Sequence, residues 1–106
     1  MILPNKIEIG GFTYSIIVDT DELENKISFA DSTDFLKRIR IKGNLSGQQL
    51  TASLLHEFLH CIDHTYLGEV FEEKQIEVLA NGLYQVLKQL GFEIKYGENS
   101  NQDKGE

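Results

Sequence analysis

Hydrophobic and polar residues alternate in the first part of the chain with the period of two that is typical of β-strands. The alternation begins with Ile7 and Ile9, and it resumes over 12–18 after the pair Gly10 and Gly11. Two glycines between alternating runs predict a two-residue hairpin, because glycine adopts positive φ without steric cost. The chain is therefore expected to open with two antiparallel strands.

Two further strands are predicted ahead of position 43. One covers 27–29 and the other covers 36–42, and the polar run 31–34 is interpreted as the turn between them. In the later strand Ile39 and Ile41 are expected to face the core. Its basic residues are expected to face solvent: Arg38, Arg40 and Lys42. The result is a small antiparallel sheet of three to four strands.

A helical period replaces the alternation after Ser46. Ser46 followed by Gln49 fits a capping box, so a first helix is predicted from there to about position 66, ended by Gly68. A second helix is predicted from about position 70 to position 90, ended by Gly91, and 92–96 is expected to add a short extended segment. The predicted fold class is α+β, a small sheet followed by two long helices.

Length and charge narrow the classes of function. The 106 residues predict a single domain over 1–96, and the polar run 97–106 is expected to be a disordered acidic and polar tail. Ten basic and 17 acidic residues give a net charge of −7, which argues against nucleic acid or an anionic membrane as a partner. No apolar stretch approaches the roughly 20 residues that span a bilayer. Cys61 stands alone, so no intrachain disulfide can form, which favours a reducing cytoplasm.

All three histidines of the chain lie close together, at His56, His60 and His64. Residues four apart in a helix lie one turn apart on the same side, so His56 and His60 can direct two imidazole nitrogens at one ion, predicted to be a single Zn²⁺ per chain. A further step of four rotates the side chain by about 40°, so His64 is expected to lie outside the ligand set, beside the ion or the substrate. Asp63 either accepts the spare N–H of a ligand histidine or is a solvated surface acid.

The residues 56–60 form an H-E-x-x-H pattern, which is typical of zinc metallopeptidases. Glu57 is poorly aligned to bind the ion, but it is well placed to accept a proton from the attacking water as a general base. Tyr84 and His64 are the candidates for an oxyanion partner.

A catalytic zinc usually has three protein ligands, and the third must come from outside the histidine helix. The predicted second helix offers Glu73 and Glu77, besides Glu72 at its start. Glutamates near a helix start commonly complement the helix dipole, whereas Glu77 lies in mid-helix beside the small residue Ala80. Glu77 is therefore preferred as third ligand, with Glu73, one turn earlier, as the alternative. The packed face of this helix is expected to comprise Ile76, Leu79, Ala80, Leu83, Val86, Leu87 and Leu90.

These motifs resemble the ImmA/IrrE-type metallopeptidases, minimal gluzincins in which a glutamate of the following helix completes an HExxH zinc site. The likeness is carried by His56-Glu57-x-x-His60 and Glu77-x-x-Ala80-Asn81, it covers about 5–92, and it is strongest to short versions from phages and other mobile elements. It implies a minimal zincin-like fold, zinc ligation by His56, His60 and Glu77, catalysis by Glu57, a peptide or protein substrate, and the cytoplasm of a bacterial host. The run 82–85 departs from the larger relatives, which argues against cleavage of a repressor.

Two functions from different classes remain open. The first is a zinc-dependent metallopeptidase that hydrolyses peptide bonds with zinc-activated water and a glutamate base. The second is a zinc-stabilised, non-catalytic binding protein of phage origin that captures a host factor, and a helical scaffold without metal is a third interpretation. The intact Glu57 favours the enzyme, because a purely structural metal site does not need this residue.

Overall fold

The computed structural model describes residues 1–18, 30–33 and 37–97. Within these residues a small sheet is followed by two helices, which confirms the α+β class. The strands are β1 (Lys6–Ile9), β2 (Phe12–Val18), β3 (Ala30–Thr33) and β4 (Arg38–Ile41). Helix α1 (Gly47–Ile62) continues into a π-helical turn (Asp63–Leu67), called the π-turn below, and helix α2 (Glu73–Gln89) follows.

The sheet is mixed, with the strand order β1-β2-β4-β3. The predicted hairpin joins β1 to β2, with φ of 60° at Gly10 and 84° at Gly11, and β3 pairs antiparallel with β4. The prediction of a purely antiparallel sheet was wrong for β2 and β4, which pair in parallel. The reason is the connection over 19–37, which includes β3 and is long enough for the crossover that a parallel pair requires.

Two details of the later strands differ from the predictions. The predicted turn at 31–34 was misplaced, because 31–33 belong to β3, while the predicted strand 27–29 lies outside the described residues. Ile39 and Ile41 are fully buried as predicted, but Arg40 is only 7% exposed rather than solvated. The strand β4 lies between β2 and β3, so neighbouring strands flank Arg40 on both sides. Alternation predicts which face a side chain takes, but not whether that face is covered.

The core lies between the sheet and one side of α1. Its fully buried members come from β2, β4 and α1: Tyr14, Ile39, Ile41, Leu50, Leu54 and Cys61. Each large apolar side chain that is removed from water contributes about 1.5–3 kcal/mol, so this layer fixes the rotation of α1 about its own axis. The opposite side of α1 is thereby directed away from the sheet.

Helix α1 begins and ends close to the predicted positions. Ser46 and Gln49 form the predicted capping box, and Gly68 ends the π-turn with φ of 73°. Ile62 and Tyr66 are both exposed, although the helical period of the sequence places them on the apolar side of the first helix. Tyr66 lies in the π-turn, which is wider than an α-helical turn, so the angular register of the first helix does not extend to it.

Helix α2 packs against α1 through a narrower face than predicted. Ile76 and Ala80 are buried, as expected. Several other members of the predicted apolar face are exposed: Leu79, Leu83, Val86 and Leu90. A helix that packs against a single neighbouring helix buries one stripe of side chains, which is why the wider apolar face is only partly covered.

The segment after α2 returns to the start of the chain. Ile2 and Lys95 form a parallel bridge, and the Tyr96 hydroxyl accepts a hydrogen bond from the Leu45 N–H at 3.0 Å. These contacts support the predicted extended segment 92–96, whereas 98–106 of the predicted tail lie outside the described residues. None of the described helices combines the length and the apolar composition needed to span a bilayer.

Candidate metal centre

Two imidazoles of α1 converge on one point, as their spacing predicts. His56 and His60 lie one turn apart, and their Nε2 atoms are 3.2 Å from each other. The side chains are 24% and 33% exposed, so the point between them is accessible from solvent. Both histidines lie on the part of α1 that is turned toward α2.

Glu73 completes the group from the other helix. One carboxylate oxygen lies 2.6 Å from Nε2 of His56, and the other lies 2.9 Å from Nε2 of His60. These three residues form a group of possible metal ligands within the described part of the chain. Glu77, the preferred third ligand in the sequence analysis, is exposed and does not belong to the group. The structure thus brings the alternative, Glu73, to the histidines.

The position of Glu73 follows from where α2 begins. The helix starts at Glu73 rather than near position 70, and its N-cap residue Glu72 has extended backbone with ψ of 162°. An extended residue advances about 3.3 Å along the chain, compared with 1.5 Å in a helix. The non-helical residues after Gly68 therefore carry the chain further back along α1 than the predicted helix would. Glu73 reaches the level of the histidines, where Glu77 was expected.

The donor set and its spacing fit a zinc ion. Two imidazole nitrogens and a carboxylate are usual ligands of catalytic Zn²⁺, and bonds of about 2.0–2.1 Å place neighbouring ligand atoms about 3.3 Å apart. The two nitrogens, at 3.2 Å, already have this separation. The carboxylate of Glu73 is closer than that to the two nitrogens. Its side chain is 66% exposed, and an outward shift of less than about 1 Å gives the spacing that a zinc ion requires.

Glu57 follows His56 on α1 and is turned by about 100° toward the sheet. Its side chain is buried, with only 8% of the residue exposed. Glutamate side chains are rarely buried without a partner, and Glu57 has an interaction partner. The residue therefore lies at the boundary between the core and the histidine side of the helix.

The structure does not bring the two candidate oxyanion partners to the group. His64 is paired with Glu69 through a contact of 2.7 Å between Nδ1 and a carboxylate oxygen. His64 is not among the three residues of the group. Tyr84 lies eleven positions beyond Glu73 on α2, roughly 16 Å along the helix axis, which places it out of reach. Its hydroxyl is buried and has no hydrogen-bond partner among the described residues.

Asp63 takes neither of the two roles considered for it. It is 4% exposed, which excludes a solvated surface acid, and its carboxylate accepts hydrogen bonds from the N–H groups of Val70 and Phe71 at 3.0 and 3.2 Å. It thus binds the loop between the helices. The sequence contained a signal for this role, because aspartate side chains commonly accept hydrogen bonds from nearby backbone in turns.

No model of a known protein family, no curated protein and no solved structure matches the chain. The likeness to the ImmA/IrrE-type metallopeptidases rests on the motif residues alone, and it stays a prediction. Function is therefore inferred from the chemistry of the group formed by His56, His60 and Glu73.

Proposed function

We propose that this protein is a zinc-dependent peptidase whose metal is held by His56, His60 and Glu73. The observation that carries the proposal is the convergence of two Nε2 atoms and one carboxylate from two different helices within 4.8 Å. Each of these groups offers a lone pair, so a shared cation is the natural occupant of the space between them. The H-E-x-x-H spacing adds an acid next to the first ligand, which a structural metal site does not require.

Each residue has a distinct task in this proposal. His56, His60 and Glu73 bind and orient the ion, which when bound supplies Lewis-acid activation of a carbonyl group and of water. Glu57 accepts the proton of the attacking water at its carboxylate and delivers it to the leaving nitrogen. The buried position of Glu57 restricts its motion, which favours a defined direction of proton transfer.

An edge strand next to α1 supports a peptide as the substrate. Among the described strands β3 lies at the end of the sheet, and it contacts α1. An extended peptide can add to such an edge through backbone hydrogen bonds and then lie along the histidine helix. The strand β4 does not offer this edge, because it lies between β2 and β3.

The test compares the parent protein with Glu57→Gln, which keeps the size of the side chain but removes the proton acceptor. Both proteins, loaded with zinc, are incubated in a bacterial lysate, and new protein N-termini are sequenced by mass spectrometry. We expect the variant to bind zinc as the parent does and to lose cleavage by roughly 10²–10⁴-fold. The matched control is Glu77→Gln, which changes an exposed glutamate outside the group and should cleave like the parent. Identical N-termini from the parent and Glu57→Gln would contradict the peptidase proposal.

One observation favours a second candidate, a zinc-stabilised binding protein without catalysis. Glu57 is only 8% exposed, so its carboxylate has little direct contact with solvent. A buried acid next to a metal ligand also suits a purely structural role. The same experiment separates the candidates, because a binding protein would generate no new N-termini in either form.

A further inference from the structure

A single buried side chain organises the loop that leads into α2. Asp63, at the start of the π-turn, accepts hydrogen bonds at its two carboxylate oxygens from Val70 N–H at 3.0 Å and Phe71 N–H at 3.2 Å. Its own backbone carbonyl accepts a third from Glu69 N–H at 3.1 Å. Three consecutive amides of the loop are therefore satisfied by one residue.

The loop that Asp63 binds ends directly at the third residue of the metal group. Only Glu72 separates Phe71 from Glu73, so the position of Phe71 limits the position of Glu73 to within about 7 Å, the length of two extended residues. The loop also needs support, because Glu69 has φ of 66°, a left-handed conformation that is unfavourable for a residue with a Cβ atom. Asp63 lies three positions after His60. It binds the end of the loop that leads into Glu73.

We propose that Asp63 is a positioning residue for Glu73, and that it thereby determines the affinity of the centre for zinc. The inference rests on the proposed metal site. Asp63 holds the first turn of α2 against the histidines through Val70 and Phe71. Residues that orient metal ligands typically change metal affinity by about 10–100-fold when they are replaced.

Asp63→Asn is the informative substitution because it preserves the shape of the side chain. An amide keeps one acceptor oxygen, but it turns a donor N–H₂ group toward the second loop amide, which then has no acceptor. We expect the loop to detach at Val70 or Phe71, and zinc affinity, measured by competition with a chromophoric chelator, to fall by about 10–100-fold. The amide resonances of Val70 and Phe71 should shift in the ¹⁵N spectrum of the same variant.

A matched control separates positioning from general destabilisation. Thr51, on α1, is also a buried polar residue, and its hydroxyl accepts a hydrogen bond from Ile94 N–H at 2.9 Å. Thr51→Val removes this hydrogen bond, which, like those of Asp63, joins a backbone N–H to a side-chain oxygen. It involves a segment that is distant in sequence from the metal group. This control should bind zinc with the affinity of the parent.

The decisive measurement is a double-mutant cycle with Glu73→Gln. If Asp63 acts through Glu73, Asp63→Asn causes no further loss of affinity in a chain that already carries Glu73→Gln, whose weaker remaining affinity through His56 and His60 is measured at higher zinc concentrations. Equal losses in both backgrounds, or parental affinity in Asp63→Asn, would overturn the inference and leave the metal site intact. A parent protein that binds no zinc would instead overturn the proposed function, and this inference with it.

A second variant covers the case in which Asp63→Asn does not fold. Asp63→Glu keeps the charge and both oxygens, but its additional methylene group pushes the loop outward. Zinc affinity is expected to fall in this variant too, by up to about tenfold, and an unchanged affinity would count against the inference.

Discussion

Nε2 of His56 and Oε1 of Glu73 lie 2.6 Å apart, although the residues are 17 positions apart in sequence and belong to different helices. As an ion pair this contact contributes little, because Glu73 is 66% exposed and exposed pairs are worth about 0–1 kcal/mol. The small gain in stability from such a pair therefore does not explain why His60 also contacts the carboxylate of Glu73. The proposed metal ion would account for this convergence. The predictions below concern the fold around the proposed centre and the centre itself.

The hairpin at Gly10 packs against the π-turn, which makes Gly10 less replaceable than its neighbour. A Cβ atom at Gly10 would lie 2.1 Å from Cγ2 of Thr65, whereas a Cβ atom at Gly11 meets no other atom within 4 Å. Both positions have positive φ, so alanine costs about 1–2 kcal/mol at either. We expect Gly10→Ala to lower the free energy of unfolding by about 1–3 kcal/mol more than Gly11→Ala. Urea denaturation of the two variants measures the difference, and equal losses would mean that the hairpin and the π-turn do not pack in this way.

Tyr96 should make stability depend on pH in the alkaline range. Burial raises the pKa of its hydroxyl above the usual 10.0, an effect that the hydrogen bond from Leu45 N–H partly offsets. A group whose pKa is raised by folding contributes stability that is complete below its unfolded pKa and is lost as the pH rises through its folded pKa. The free energy of unfolding should therefore fall as the pH rises above about 10.

Two tyrosine variants check this pH dependence. Tyr96→Phe should unfold more easily at neutral pH, by about 1–3 kcal/mol, because Leu45 N–H loses its acceptor, and its stability should vary less above pH 10. Tyr66→Phe is the control, since Tyr66 is 65% exposed, and it should leave stability unchanged. If Tyr96→Phe retains the full alkaline loss of stability, Tyr96 is not its source.

His64 should be dispensable for metal binding. It is paired with Glu69 outside the group, and its rotation along α1 and the π-turn directs it away from His56 and His60. We expect His64→Ala to bind one zinc ion per chain with an affinity within about threefold of the parent, since no ligand is lost. Isothermal titration measures this value. Loss of zinc from a variant with an intact circular dichroism spectrum would assign His64 to the centre.

Local features of the centre were predictable from sequence because they depend on neighbours within one helical turn. The convergence of His56 and His60 requires only a helix with residues four apart, and the capping box at Ser46 indicated where that helix begins. The hairpin at Gly10 and Gly11 has the same local origin. Such features depend on residues that are close in sequence rather than on long-range contacts.

The third member of the group was not predictable in the same way. The choice between Glu73 and Glu77 depends on the residue at which α2 begins, and thus on the loop that Asp63 holds through Val70 and Phe71. Period and capping signals locate a helix start only to within a few residues, and one helical turn separates the two glutamates. The parallel pairing of β2 with β4 was not predicted for a similar reason, since it joins two strands that are distant in sequence.

The most direct test of the central claim is the zinc content of three proteins: the parent, Glu73→Gln and Glu77→Gln. Native mass spectrometry on samples purified without added metal counts the ions in each folded chain. We expect one zinc ion in the parent and in Glu77→Gln, and a loss of zinc from Glu73→Gln, because Glu73 is the only carboxylate of the described residues that lies within 3 Å of both histidines. A parent chain without zinc, or zinc retained in Glu73→Gln and lost from Glu77→Gln, would contradict the centre described by His56, His60 and Glu73.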